Sequence, residues 1–285
     1  MLNDLAALSW LVEMGADEAI ARQPVDRFAP RPQPRAASGP APAPMTAPAP
    51  AMASAAARRP AEPAPRDDAP AAGPTPSAQA AASAAELAAG ARTLDELETA
   101  LRGFDGCSLK ATATTTVFAD GVPGSRVMFV GEAPGADEDR IGRPFVGVSG
   151  QLLDTMLRWI DLDRGRNVYI ANVVYWRPPG NRPPTTAELA ICLPFIRRQI
   201  ELANPELLVF LGNSAAQALL GTTGGISRMR GRWIGYRPPG ADREVQAMAT
   251  FHPAYLLRSP AQKRESWRDL LMIKNKLSSG ANELK

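Results

Sequence analysis

Apolar residues fall into short continuous runs separated by stretches of helical spacing, and the strand-like runs lie after residue 90. Residues 126–130 (RVMFV), 167–174 (NVYIANVV) and 206–211 (ELLVFL) have the pattern of strands buried on both faces. Residues 231–236 and 245–250 supply further strand material. Between these runs, 149–160 (SGQLLDTMLRWI), 186–203 and 214–220 repeat apolar positions at helical spacing, and a last helix is expected around 265–277. Residues 93–104 open with Thr93 and carry Glu96 three positions later, a capping-box pattern. Strands alternating with helices predict an α/β three-layer sandwich with a mostly parallel central sheet. Ligands of such sheets bind beyond the carboxyl ends of the strands. That rule selects the loops after Val130, Ile170 and Thr250.

The N-terminal third is different. Residues 2–21 read as an amphipathic helix, with Leu5, Leu8, Leu11, Val12 and Met14 around Trp10. It suits either an extra helix on its own domain or a partner protein's groove. Residues 28–90 hold 14 of the 28 prolines, with long alanine runs and almost no large aliphatics. Such a stretch buries too little apolar area to offset its ordering entropy, so a disordered linker is expected. The division is 1–27, an N-terminal helical segment, 28–90, a linker, and 91–285, one folded domain.

Net charge is +3 with a pI near 9.1, and arginine far outnumbers lysine. Arginine's planar fork suits phosphate oxygens, although the charge alone fits any solvated basic surface. Cys107 and Cys192 are the only cysteines, too few for a disulfide scaffold or for a zinc or iron–sulfur site unaided. No run reaches membrane-spanning length, and Asp4 and Glu13 interrupt any signal-like pattern. A cytoplasmic monomer without membrane association is expected.

The first loop reads Gly131-Glu132-Ala133-Pro134-Gly135-Ala136-Asp137-Glu138-Asp139 and runs on to Arg143-Pro144-Phe145-Val146-Gly147. Its glycines permit close backbone approach to a ligand, and its carboxylates suit general-base or cation-stabilising work. Phe145, set among proline and glycines, resembles a placed aromatic plate. The second loop, from Asn172 through Tyr175-Trp176-Arg177 to Gly180-Asn181-Arg182, puts an amide at the end of a buried strand. There it needs a partner: a base edge, or a backbone group across the loop. The third loop carries the only histidine: His252-Pro253-Ala254-Tyr255-Leu256-Leu257-Arg258. Exposed leucines on a basic loop can act as wedges in DNA.

In this order and spacing, GEAPGADEDRIGRPFVG, NVVYWRPPGNR and HPAYLLR resemble the type 4 uracil-DNA glycosylases over roughly residues 104–278. The resemblance implies that uracil-containing DNA is the substrate and that a flipped base is excised by hydrolysis of its N-glycosidic bond. It implies that Phe145 stacks on the uracil, that Asn172 reads its edge and that His252 bonds the oxygen that becomes anionic. Glu132, Glu138 and Asn181 would position water or stabilise the sugar cation. Ala133, beside the base, stands where a related branch has its water-activating Asp. Arg143, Arg177, Arg182, Leu256, Leu257 and Arg258 are the candidate DNA contacts. The family usually binds a [4Fe–4S] cluster through four cysteines. Here only Cys107 and Cys192 match; Lys110 and Trp176 stand at the other two positions. No cluster is expected, with Trp176 and apolar neighbours filling its volume. Two other readings remain: a non-catalytic DNA-binding accessory of the same fold, and a glycosylase for another deaminated base.

Overall fold

The computed structural model describes residues 75–239, 241 and 243–282, so the amphipathic segment 2–21 and most of the expected linker lie outside the described residues. Along the described chain the elements are α1 (Pro76–Gly90), α2 (Leu94–Gly103), β1 (Ala119–Gly121), β2 (Val127–Gly131), α3 (Ala136–Ile141), α4 (Val148–Arg158), β3 (Val168–Asn172) and α5 (Thr186–Ala203). There follow β4 (Leu207–Leu211), α6 (Asn213–Leu220), α7 (Ile226–Met229), β5 (Ile234–Tyr236), β6 (Val245–Thr250), α8 (Pro253–Arg258) and α9 (Lys263–Asn282).

The six strands form one sheet in the order β1-β3-β2-β4-β6-β5. The four central strands are parallel, and β1 and β5 pair antiparallel at the edges. Alternate residues of each strand feed opposite layers, as the two-residue pleat requires. Met128, Val130, Leu208 and Phe210 join the core under α1, α2, α5 and α6. Val127, Phe129, Val209 and Leu211 join the core under α4, α8 and α9. Both faces are therefore dry, which is why these strands read as unbroken apolar runs. Among the described residues no helix is long and apolar enough to cross a membrane.

One boundary is corrected. The expected linker extended to residue 90, but Pro76–Gly90 is a helix packed against α5, with Ala84 and Ala88 buried. Alanine has the best helix propensity, and its small side chain lets two helices approach closely. The N-terminus is well made: Pro76 occupies the first turn, and Thr75 Oγ1 accepts from the Ala78 amide at 3.4 Å. At the other end the Arg198 guanidinium donates to the Ala91 carbonyl at 2.9 and 3.0 Å. A chain starting at residue 92 is therefore expected to melt below one starting at Thr75. Losing the burial of three alanine methyls, those of Ala84, Ala88 and Ala91, costs about 2 kcal/mol, or roughly 4–8 °C for a domain of this size. Equal melting temperatures would contradict the packing of α1 into the core.

Candidate active site

Four loops leave the carboxyl ends of the parallel strands, and together they wall a cleft of about 480 Å³. The loop after β2 brings Glu132–Gly135 and Phe145, β3 brings Asn172, and the loop after β6 brings His252 and Arg258. The fourth wall, Leu211–Ser214 after β4, was not among the three loops selected from sequence. Glu138, Asn181 and Arg182 also face the cleft.

Asn172 ends β3 and is 1% exposed, yet its Oδ1 accepts no hydrogen bond from any described residue. An unpaired buried acceptor costs about 1–3 kcal/mol until a ligand donor satisfies it. Gly131, across the register from Asn172, explains how the amide fits beside an aromatic ring. A Cβ there would lie 2.5 Å from both Asn172 Oδ1 and Phe145 Cζ.

Phe145 is buried and sits at φ +54°, a left-handed conformation that costs an L-residue roughly 1–2 kcal/mol. Its ring lies 5.6 Å from the His252 ring. The loop holding it is clamped through its backbone amides. Glu138 Oε1 accepts from the Val146 and Gly147 amides, both at 2.9 Å, and Oε2 accepts from Gly135 N at 3.1 Å. Both oxygens of Glu138 are thus engaged by backbone, whereas Glu132 is the half-buried carboxylate at the end of β2. Burial pushes the Glu132 carboxyl up, and a hydrogen bond from Ser214 opposes this in part.

His252 caps α8: its Nδ1 accepts from Ala254 N at 3.1 Å. That bond leaves the proton on Nε2 in the neutral ring. Burial first, and then the positive Arg258, lower its pKa to about 4, with Glu138 pulling the other way. At neutral pH the ring is an uncharged donor. Gly212, at φ +95°, is what lets β4 approach: a Cβ there would lie 2.9 Å from that of His252.

The remaining candidates divide. Arg258 and Leu257 are exposed, and Arg143 is exposed with Asp120 3.9 Å away. Arg177 Nε donates to Asn181 Oδ1 at 2.7 Å, which fixes Asn181 at the cleft edge. Arg182 is held by both carboxylate oxygens of Glu188 at 2.9 and 2.6 Å, a pairing that lowers the Glu188 pKa to about 2. Leu256 is corrected outright. It is fully buried among Phe251, Trp267 and Leu270, because the short helix α8 turns it inward and Leu257 outward. Of the two leucines only Leu257 is exposed.

The residues at the cluster positions do not fit four-thiolate ligation. Cys107 and Cys192 are both buried and share a hydrogen bond that lowers the Cys107 thiol and raises that of Cys192. Trp176 fills the same apolar cluster, 1% exposed, its indole N–H donating to Thr116 Oγ1 at 3.0 Å. Lys110 turns to Asp105 Oδ1 at 2.7 Å and the Arg102 carbonyl at 2.6 Å. Among the described residues no three or more His, Cys, Asp or Glu gather as a metal site. Protein purified anaerobically should be colourless and free of stoichiometric iron. About four irons per chain with a visible charge-transfer band would contradict this.

A model of the Uracil DNA glycosylase superfamily matches residues 118–271. The Type-4 uracil-DNA glycosylase of Pyrobaculum aerophilum is 40% identical over 182 residues, covering 63% of this chain and 92% of that protein. Its counterpart in Thermotoga maritima is 42% identical over 157 residues, 54% of this chain and 77% of the relative. That of Archaeoglobus fulgidus is 38% identical over 187 residues, 64% and 92%. The matched span contains the whole sheet with all four loops of the cleft, and the chain belongs to the uracil-DNA glycosylase superfamily, in its type 4 branch.

Proposed function

We propose that this cleft excises uracil from DNA, hydrolysing the N-glycosidic bond of a nucleotide flipped out of the helix. The observation that carries the reading is the unpaired, buried Oδ1 of Asn172 at the end of β3. Uracil presents an imide N–H to that acceptor and a carbonyl to the amide's N–H₂, and so relieves the unsatisfied group as it binds. Cytosine as paired in DNA presents the reverse order at the same two atoms. Extruding a base costs a few kcal/mol, which stacking on Phe145 and the amide pairing offset.

Bond cleavage sends the C1′–N1 electron pair to the base and leaves cationic character on the sugar. His252, neutral and protonated on Nε2, donates to the uracil oxygen as it becomes anionic. Glu132, steadied by Ser214, faces the sugar side as a carboxylate, stabilising the cation and orienting the water that adds to C1′. Glu138 serves that chemistry indirectly, by fixing the Phe145 loop. Arg143, Arg177 and Arg258 supply phosphate contacts, and Leu257 supplies the apolar wedge.

The pH profile tests the division between the two ionisable groups. Glu132 works ionised and its pKa is raised, so excision should fall as pH drops through a value above 4.5. His252 does not set that limb, because it stays neutral down to about pH 4. Glu132→Gln should lower the neutral-pH rate by roughly a hundredfold and flatten the acid limb. An acid limb unchanged in Glu132→Gln would assign it to another group.

A further inference from the structure

The carbonyls of the Phe145 loop are held by a residue that the chemistry above does not use. Arg164 lies in the turn leading into β3, with its side chain 18% exposed. All five of its N–H donors are taken. Nε and Nη2 donate to Asp154 Oδ1 at 2.9 and 2.8 Å, and Nη1 donates to Asp120 Oδ2 at 2.7 Å. The other two donors go to backbone: Nη1 to the Pro144 carbonyl at 3.0 Å and Nη2 to the Phe145 carbonyl at 2.6 Å. Asp120 belongs to the edge strand β1 and Asp154 to α4. One planar guanidinium therefore ties the carbonyls of the loop to two fixed elements, a task its rigid fork suits.

We propose that Arg164 is a positioning residue for base binding, holding Phe145 in the left-handed conformation that puts its ring beside Asn172 and His252. Phe145 sits between two clamps. Glu138 takes the amides of residues 146 and 147, and Arg164 takes the carbonyls of residues 144 and 145. The space above the Phe145 carbonyl exists because residue 150 is glycine; a Cβ there would collide with that carbonyl group. A phenylalanine released from one clamp relaxes towards negative φ, and the ring then leaves the pocket wall that Gly131 was shaped to accept. An ion pair serving stability alone would need only the two carboxylates. Two of the five donors are instead spent on the strained peptide itself.

The proposal rests on the reading of Phe145 as the ring that stacks on the flipped base, and a double-mutant cycle tests both. Arg164→Met should slow single-turnover uracil excision by roughly tenfold to a hundredfold, the scale for a misplaced binding group. In a Phe145→Ala background the same change should cost less than about threefold, because the group it positions is gone. An equal loss in both backgrounds, or no loss in the first, would overturn the proposal. Arg164→Lys serves if Arg164→Met fails to fold. It keeps a positive charge between Asp120 and Asp154 but cannot span both carboxylates and both carbonyls. A crystal structure of the folded variant gives a readout independent of activity: φ of residue 145 should leave the left-handed region, and φ unchanged with the ring still beside His252 would overturn the proposal. If Phe145→Ala alone leaves excision untouched, it is the stacking role that fails, while the backbone measurement still decides what Arg164 holds.

Discussion

Replacing Asn172 by aspartate should slow uracil excision by roughly two to four orders of magnitude. The amide is buried at the end of β3, and its acceptor has no partner among the described residues. Substrate binding converts that cost into recognition, because the imide N–H meets Oδ1 while the amide donates to the neighbouring carbonyl. An ionised aspartate keeps an acceptor and loses the donor, leaving the uracil carbonyl facing negative charge. The substitution is nearly isosteric, so packing against Phe145 and Gly131 should survive. Single-turnover excision from a uracil-containing oligonucleotide is the measurement. Undiminished excision by Asn172→Asp would show that Asn172 does not read the base.

The second large effect belongs to His252. Removing one donor aimed at developing negative charge typically costs roughly a hundredfold to a thousandfold in rate, and His252→Ala should lose about that much. DNA affinity should stay nearly intact, because phosphate contacts come from other residues. The residue also caps α8 through Nδ1, so the variant should lose roughly 0.5–2 kcal/mol of stability as well. Rates are therefore compared well below the melting temperature, where the cap loss alone leaves the protein folded. Wild-type cleavage by folded His252→Ala protein would remove the histidine from the mechanism. The low pKa has a thermodynamic counterpart. Its folded value, about 4, lies below the ordinary 6.5, so this residue's contribution to stability is complete above pH 6.5 and is lost as pH falls towards 4.

The layered α/β architecture was legible because strands buried on both faces produce unbroken apolar runs: 126–130 covers β2 but for its last residue, Gly131, and 167–174 and 206–211 contain β3 and β4. The elements that escaped notice lacked that contrast. Residues 76–90 are about half alanine and hold one large aliphatic, Leu87, which reads as linker until α5 is present to bury Ala84 and Ala88. Strand β1 is three residues long, and it is recognisable only through its pairing with β3. At the site, Glu132, Phe145, Asn172 and His252 do converge on one cleft, as their places beyond strand ends suggested. The loop Gly212–Ser214 obeys the same rule after β4, and applying it to every parallel strand would have found Ser214. Glu132 and Glu138 could not be separated from sequence, since the difference lies in which amides they meet. Leu256 and Leu257 differ only in the phase of a six-residue helix. Arg164 carries no local signal: it lies 19 residues from the carbonyl it holds, and only the folded loop brings them together.

The most direct measurement of the central claim is the release of free base by the full-length wild-type protein. Oligonucleotides carrying a single uracil, in single and double strands, would be incubated with the protein and free uracil quantified beside alkali-labile sites in the strand. The account predicts equimolar release of uracil and appearance of abasic sites, with thymine and cytosine in the same sequence left intact. Tight binding of the same DNA with every uracil still attached would contradict it, and would make the cleft a reader of DNA in place of an enzyme.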